Sequence, residues 1–578
     1  MKTFKLLFIP IFLLLIMLSC EDVLDRAPLD KIKADEVFSS QGLASAYVTD
    51  LYARLPSTDF MGQTTGQCDE STRSTGNSNN VTQGTVNKTS EAFGYWDYTL
   101  IRDINNFIEN IKVSSIDEAG RLQLEGEVRF LRAYVYFEMA KRYGGVPLVD
   151  VVIDPFQEID IKYTQRSTEE AIFNFIDSEL TQAANMLKTD PLPRGRVNKW
   201  TALALKARSN LWAASIAKYG TLALNGLVGI PVSRANEFYQ KASDAADLVI
   251  QSNNYSLYNP VPGNKSENYR RIFIDPNHSE IIFERVYDGI NRGHGWDCYN
   301  GPWPFAARGG VIDPTLDFIL GFENIDGSSE QPVFGENVLY NNATDPFINK
   351  DPRLFATVFF DGDEWAGDKV RTYEGIDPSN TPTPSSIISN PALDYKGMPT
   401  VGLASRMYSF DERSPNSGFC VKKYLDETKI KIAESESDSN WLLFRLAEMY
   451  LIKAEAEFEL GKLQNAATAL NVTRERAGIS LVDESSITLE IVRNEIRSEL
   501  SYEDHRYWDL RRWRIAESVL NHRFQGLKII YHYESGKYYF LPLDCETFSR
   551  TFKPEHYYNP ITSARIDNNP DLVENPLY

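Results

Sequence analysis

Amphipathic helical periodicity recurs along this chain, and at each recurrence small alanines share the apolar stripe with large residues. In "EVRFLRAYVYFEMAKRYGGVPLV" the residues Phe130, Ala133, Tyr134, Phe137 and Ala140 fall on one face, and Gly144-Gly145 before Pro147 stops the helix. Ser167 and Glu170 have the spacing of a capping box for the next helix, "STEEAIFNFI". "NKWTALALKARSNLWAASIAKYG" aligns Leu203, Ala207 and Leu211, and "ANEFYQKASDAADLVIQ" follows it. Earlier helices are predicted from about Asp35, over 40–55 and over 96–111. The pattern returns in "NWLLFRLAEMYLIKAEAEFELGKLQNAATALNVTRERAG", where Leu443, Leu446, Ala447, Tyr450, Leu451 and Ala454 share a face and Gly461 separates two amphipathic halves. Antiparallel helix pairs of roughly 34 residues, with alanines where backbones approach, predict a mainly α fold of tetratricopeptide-like repeats, about four pairs. Ordinary helical hairpins carry the same pattern.

Between 258 and 439 the texture changes to short strands, turns and long polar loops. "GDEWAGDKVRTYEGIDPSNTPTPSSIISNPALDYKGMP" is rich in the residues that set turns. An irregular, loop-rich lobe carried by a helical scaffold is where a binding surface is usually built.

The N-terminus supplies an address. Lys2 and Lys5 precede an apolar run of 13 residues, Leu6 to Leu18, interrupted by Pro10. As a helix it would span roughly 20 Å, whereas a bilayer core of about 30 Å needs about 20 residues. The run therefore reads as a secretory signal, not a membrane span. Met17, Leu18 and Ser19 before Cys20 resemble a bacterial lipobox, which implies cleavage before Cys20 and acylation of its thiol and new amino group. More than one acyl chain anchors stably, at about 0.8 kcal/mol per buried methylene. Residues 1–19 are then the signal peptide and 20–33 a lipidated acidic tether.

Without the signal, 559 residues remain, with 58 basic and 80 acidic side chains and a net charge of −22. That length requires more than one lobe. The charge argues against nucleic acid, whose phosphates demand clustered cations. Cys68, Cys298, Cys420 and Cys545 form no CxxC pair, so zinc and dithiol motifs are absent. Two disulfides, in any of three connectivities, and four inert buried thiols both remain open.

Several stretches together resemble the SusD/RagB outer-membrane lipoproteins of Bacteroidetes. They are "CEDVLDRAP", "RFLRAYVYFEMAKRYGGVPLV", "FRLAEMYLIKAEAEFELG", "RNEIRSELSYEDHRYWDLRRW" and the terminal "ENPLY", with echoes in "YWDYTLIRDINNFIENI", "PTLDFILGFENIDG" and "DPRLFAT", in order over nearly the whole chain. Leu577 stands where such proteins often carry glycine. The resemblance implies a SusD-like fold in which four tetratricopeptide-like pairs pack against the irregular lobe. Its boundaries would be 34–257 for the N-terminal helical region, 258–439 for the ligand-binding lobe and 440–578 for the C-terminal helical region. It further implies a non-catalytic, cofactor-free protein on the cell surface that captures an oligosaccharide or other nutrient. Such a protein closes over a partner SusC-like TonB-dependent transporter. Glu21 and Asp22 after Cys20 are similar to surface-export signals of that phylum.

Candidate sites follow from residue type. Sugars present flat C–H faces to aromatic rings and hydroxyls to Asn, Asp, Gln and Arg. "RGHGWDCYNGPWPFAARGG" sets Trp296, Tyr299, Trp303 and Phe305 among glycines and prolines, and Trp96 and Trp365 are further candidates to face the same ligand. In "RSELSYEDHRYWDLRRW", Glu499, Glu503 and His505 could serve acid–base chemistry. A helical ion-paired packing motif, with Glu499 and Glu503 on one face, Asp509 and Arg512 on another, and Trp508 and Trp513 as anchors, is the favoured reading. Asp361, Asp363 and Glu364 suggest calcium or a solvated turn, and the metal loop is not completed. No phosphate loop, Ser-His-Asp order or HExxH appears. Three functions remain in view: a nutrient-binding transporter subunit for glycan or peptide, a secreted glycoside hydrolase, and an assembly scaffold.

Overall fold

The computed structural model describes residues 34–56, 64–74, 77–154, 156, 159–190, 193–408 and 415–578. The signal, Cys20 and the tether lie outside the described residues. Among those described, no helix is long and apolar enough to cross a membrane.

Among the described residues nine long helices form a continuous array: α1 (Gln41–Ala53), α2 (Tyr98–Lys112), α3 (Glu118–Tyr143), α4 (Glu169–Met186), α5 (Lys199–Tyr219), α6 (Ala235–Gln251), α7 (Leu446–Glu459), α8 (Leu463–Ala477) and α9 (Leu489–Glu499). Each helix from α2 to α8 packs on the next, α1 lies on α3, and α9 closes the end against α7. The pairs α2/α3, α4/α5, α6/α7 and α8/α9 give the tetratricopeptide-like arrangement among the described residues.

Local chemistry sets the helix ends. Asp97, Asp117 and Thr488 accept hydrogen bonds from the backbone N–H three residues on, and Asn198 forms a capping box with Thr201. The cap of α4 is Thr168 rather than Ser167, its hydroxyl oxygen accepting from the Ala171 N–H at 3.2 Å, while the Ser167 N–H is bonded to the Val146 carbonyl. Glu170 turns instead to Arg234, at 2.8 Å. The crossing at Ser167 is tight, and a Cβ on Gly145 would come within 1.9 Å of the Ser167 carbonyl oxygen. Only glycine fits there.

Helix α3 departs from the expected single stripe. Apart from Arg129 it is buried all round between Gln123 and Lys141, and its cations Arg129 and Arg132 reach Glu179 of α4 at 2.8 and 2.7 Å. A helix enclosed on every side is a central element rather than a surface one.

The chain leaves this array between α6 and α7. Strand β2 (Ile281–Arg285) leads out and β5 (Trp441–Arg445) leads back, and the two pair antiparallel with Trp441 opposite Arg285. The second lobe is thus an excursion pinched at its base by one ladder, placed inside the α6/α7 pair. It has its own hydrophobic core, around Phe318, Phe347, Phe360, Phe419 and Phe540.

Two further segments join that lobe from outside the 258–439 span. Strand β1 (Ser71–Arg73) pairs antiparallel with β3 (Ile312–Pro314). The hairpin β6 (Gln525–His532) and β7 (Lys537–Asp544) adds to β4 (Gly375–Asp377), which runs parallel to β6. The C-terminal region is therefore not helical throughout: after Leu520 its hairpin completes the lobe's three-stranded sheet, and short helical turns at Pro554–Tyr557 and Ser563–Asn568 follow.

Buried ion pairs fasten lobe to array. Arg445, at the end of β5, meets Glu280 at 2.9 Å, Glu499 at 2.6 Å and Glu503 at 2.7 Å. Glu499 also holds Arg353 at 2.7 Å and contacts Arg476, while Glu503 holds Lys423 at 2.7 Å. Three guanidinium groups around one carboxylate keep Glu499 well below the usual range despite complete burial. Glu503 lies beyond the end of α9, in the turn before the short helix α10 (Arg506–Arg512), so the two glutamates meet Arg445 through a turn rather than from one helical face. Asp509 and Arg512 pair as expected at 2.7 Å, and Trp508 and Trp513 are buried.

Candidate ligand-binding cleft

The segment that follows β2 returns on itself through hydrogen bonds. Asp288 accepts from the backbone N–H groups of Ile290, Asn291 and Arg292 and from the Asn291 side chain, all at 2.9–3.0 Å. These donors hold the Asp288 carboxyl well below its ordinary range. The backbone N–H of Tyr287 donates to Asn440 Oδ1 at 3.0 Å, tying the segment to the residues entering β5. The Tyr287 ring meets His294 edge to face at 4.8 Å. His294 Nδ1 accepts from Trp296 N–H, which assigns the ring proton to Nε2, bonded to the Ser439 carbonyl at 2.8 Å. Burial lowers its pKa to about 4, so the imidazole behind Tyr287 is neutral.

These residues border a cleft of about 370 Å³ at the junction of lobe and array. The volume suits a small ligand or a few linked rings. One wall comes from β2 and β5, with Glu284, Ser439 and Asn440; another from the turn Phe273–Pro276; a third from the turn at Asp426–Lys429; and Arg194 reaches in from the helical array. Glu284 is 4% exposed, with Oε1 on Arg194 at 2.7 Å and Oε2 buried without a hydrogen-bond partner. Lys429 pairs with Asp438 at 2.8 Å.

Next to the cleft lies the aromatic segment, beginning with the short helix Trp296–Asn300. Asp426 and Lys429 also border a small hollow walled by Asp297, Phe305 and Trp365, which brings Trp365 beside this segment. Tyr299 is buried beneath Arg308 at the edge of the second core, its hydroxyl bonded to the exposed Glu434, an interaction that raises the phenol pKa. Gly295 permits this placement, since a Cβ there would lie 2.7 Å from the Tyr299 ring. Trp303 is half-buried, with the Lys431 ammonium 5.5 Å from its ring.

The five aromatics expected at one ligand thus occupy different environments. Trp296 is 1% exposed, donates Nε1–H to the Lys423 carbonyl at 2.9 Å and packs against Tyr424 and Trp441. Trp365 is equally a core residue, edge-on to Phe359 at 5.0 Å. Neither offers a ring face to solvent in this structure, because glycine- and proline-rich sequence here wraps a second hydrophobic core instead of forming an open loop. Trp96 stands apart in the helical array, edge-on to Tyr143 at 5.1 Å with Arg565 over its face at 4.9 Å. Tyr299 is also enclosed by the second core, and Trp303 is left half-buried near the surface. The sequence reading passed over Tyr287 and Asn440. "RVYDGINRG" does carry a signal, an aromatic followed by Asp-Gly at the end of a strand.

Other expectations sort plainly. All four described cysteines are free and buried. Asp361 is no solvated turn, since it is buried and accepts from the Thr372 and Tyr373 N–H groups at 2.7 and 3.2 Å. No group of three or more metal-ligating side chains stands together among the described residues.

Comparison with known proteins places this arrangement. Residues 279–578 match the family model described as "SusD family", and residues 23–211 match one described as "Starch-binding associating with outer membrane". SusD-like protein P25 of Formosa agariphila is 23% identical, over 98% of this chain and 97% of its own. The starch-binding protein SusD of Bacteroides thetaiotaomicron is 23% identical, over 83% of this chain and 76% of its own. The crystal structure of a SusD-like protein from Bacteroides fragilis superposes with a TM-score of 0.72 at 25% identity, covering 96% of this chain and all of that one. With more than half its length matched by that model and the same fold throughout, the chain belongs to the SusD family.

Proposed function

We propose that this protein is an outer-membrane lipoprotein, anchored through Cys20 and displayed at the cell surface, that binds a glycan without cleaving it and passes it to a SusC-like TonB-dependent transporter. The cleft carries this reading: a half-exposed tyrosine, Tyr287, stands beside carboxylate and amide groups at the lobe junction, the combination that stacks on a sugar ring while taking its hydroxyls. Trp303 is half-buried on the adjoining segment and extends the cleft for a longer chain. Membership of the SusD family and the starch-binding name of one relative support the glycan class. Asp288, kept ionised by four N–H donors, is not a proton donor at neutral pH.

Isothermal titration calorimetry with a panel of oligosaccharides tests the reading, alongside product analysis of the same mixtures. Binding with no released fragments is expected, weakened about tenfold by Tyr287→Ala, the order of one lost ring contact. Affinity for peptides and for no oligosaccharide would overturn the glycan class, and turnover abolished by a single Asp or Glu substitution would overturn the non-catalytic role.

A further inference from the structure

The charge bordering the cleft is one-sided. Five carboxylates border it: Asp275, Glu284, Asp288, Asp426 and Asp438. Its two bordering cations are both already joined to carboxylates, Arg194 to Glu284 and Lys429 to Asp438. Arg271 pairs with Asp275 at 2.9 Å, and Arg292 sits 5.7 Å from the Tyr287 ring. Counting these two neighbours, five negative charges face four positive ones. The buried Glu284 Oε2 accepts from no donor among the described residues. Such an acceptor is satisfied by an O–H or N–H. A sulfate or carboxylate, which only accepts, leaves it unsatisfied and adds a like charge.

We propose that the cleft selects a glycan whose rings carry hydroxyl or amino groups and rejects one whose rings carry sulfate or uronate. This inference rests on the glycan-binding reading above and narrows it to a substrate class. A ring stacked on Tyr287 lies next to the adjoining Asp288 carboxylate, and the ring's O–H or N–H groups serve Glu284 and Asp426. An acidic substituent there meets carboxylates, and among the described residues no uncommitted cation lines the cleft. Like charges a few ångströms apart in a partly desolvated site reduce affinity on the order of tenfold or more.

The experiment uses the full chain without its signal and matched pairs of oligosaccharides: sulfated against desulfated galactan, and free against methyl-esterified galacturonan, with chitosan oligomers as the amine-bearing probe. Calorimetry at fixed ionic strength should show the acid-free member binding at least tenfold more tightly, and Asp288→Asn with Asp426→Asn should narrow that ratio. Equal or tighter binding of the acidic member overturns the selectivity while leaving glycan binding intact. A preference unchanged in the double variant overturns its assignment to this cleft. Failure of every glycan, acidic or not, overturns both this inference and the reading on which it rests.

Discussion

Replacing Glu499 with glutamine removes one charge from a point where three guanidinium groups converge. Arg353 and Arg445 stand 2.7 and 2.6 Å from its oxygens, Arg476 touches the same carboxylate, and all four side chains are buried. Glutamine keeps one acceptor oxygen and turns an amide toward the cations. Breaking a buried ion pair costs about 3–5 kcal/mol. Because Glu280, Glu495, Glu503 and Asp351 continue to hold these arginines, the lower end, about 3 kcal/mol, applies to Glu499→Gln. At about 2–4 °C per kcal/mol for a unit of 150–250 residues, the transition that includes the lobe junction should fall by about 6–12 °C at pH 7. The pH dependence gives a second check. The folded pKa of Glu499 is depressed, so its contribution is complete above the unfolded value near 4.5 and is lost as pH falls toward the folded one. At about 1.4 kcal/mol per pH unit, the gap between wild type and variant should shrink by about 2 kcal/mol from pH 4.5 to 3. Urea titrations monitored by tryptophan fluorescence across that range measure both quantities. A gap below 1 kcal/mol at neutral pH, or one that does not change with pH, would refute the account of Glu499 as the electrostatic hub.

Further outcomes are expected. Trp296→Ala should destabilise the second lobe by about 3–5 kcal/mol, as for other large buried aromatics, and equilibrium unfolding checks it. Cys68, Cys298, Cys420 and Cys545 should stay unreactive toward Ellman's reagent in the native protein and yield four thiols in guanidinium; two or fewer would indicate disulfides. Burial pushes the pKa values of Cys68, Cys420 and Cys545 well up, which removes the reactive thiolate. Cys20→Ala should release the protein from the outer-membrane fraction, and continued detergent-dependent retention of that variant would refute the anchor.

The helical array was legible in the sequence because its signal is local. Caps, glycine stops and alanine-bearing stripes are set by residues a few positions apart, and the helices at 41–53, 98–112 and 446–477 fall where periodicity placed them. What the sequence did not reveal depends on distant partners. Nothing near 525–544 announces that this hairpin completes a sheet with residues 375–377, nor near 71–73 that it pairs with 312–314. The same limit applies to the candidate site. Trp296 and Trp365 have the residue type of a sugar platform, yet a second core claims them, and only the fold shows which ring remains near the surface. Tyr287 owes its position to a ladder whose two strands are separated by the whole lobe.

That ladder has a consequence for how such a molecule diversifies. Because β2 and β5 stand side by side, the loops between them that carry neither the strands paired with β1 and β6 nor Arg353 and Lys423 can grow, shrink or be exchanged while α6 and α7 keep their mutual packing. The closure entropy of the intervening chain rises only by about 0.6 kcal/mol for each doubling of its length. The array and the lobe core then act as a fixed socket, and the lobe's outer loops as the interchangeable part, free to acquire new recognition contacts without renegotiating the scaffold that carries them.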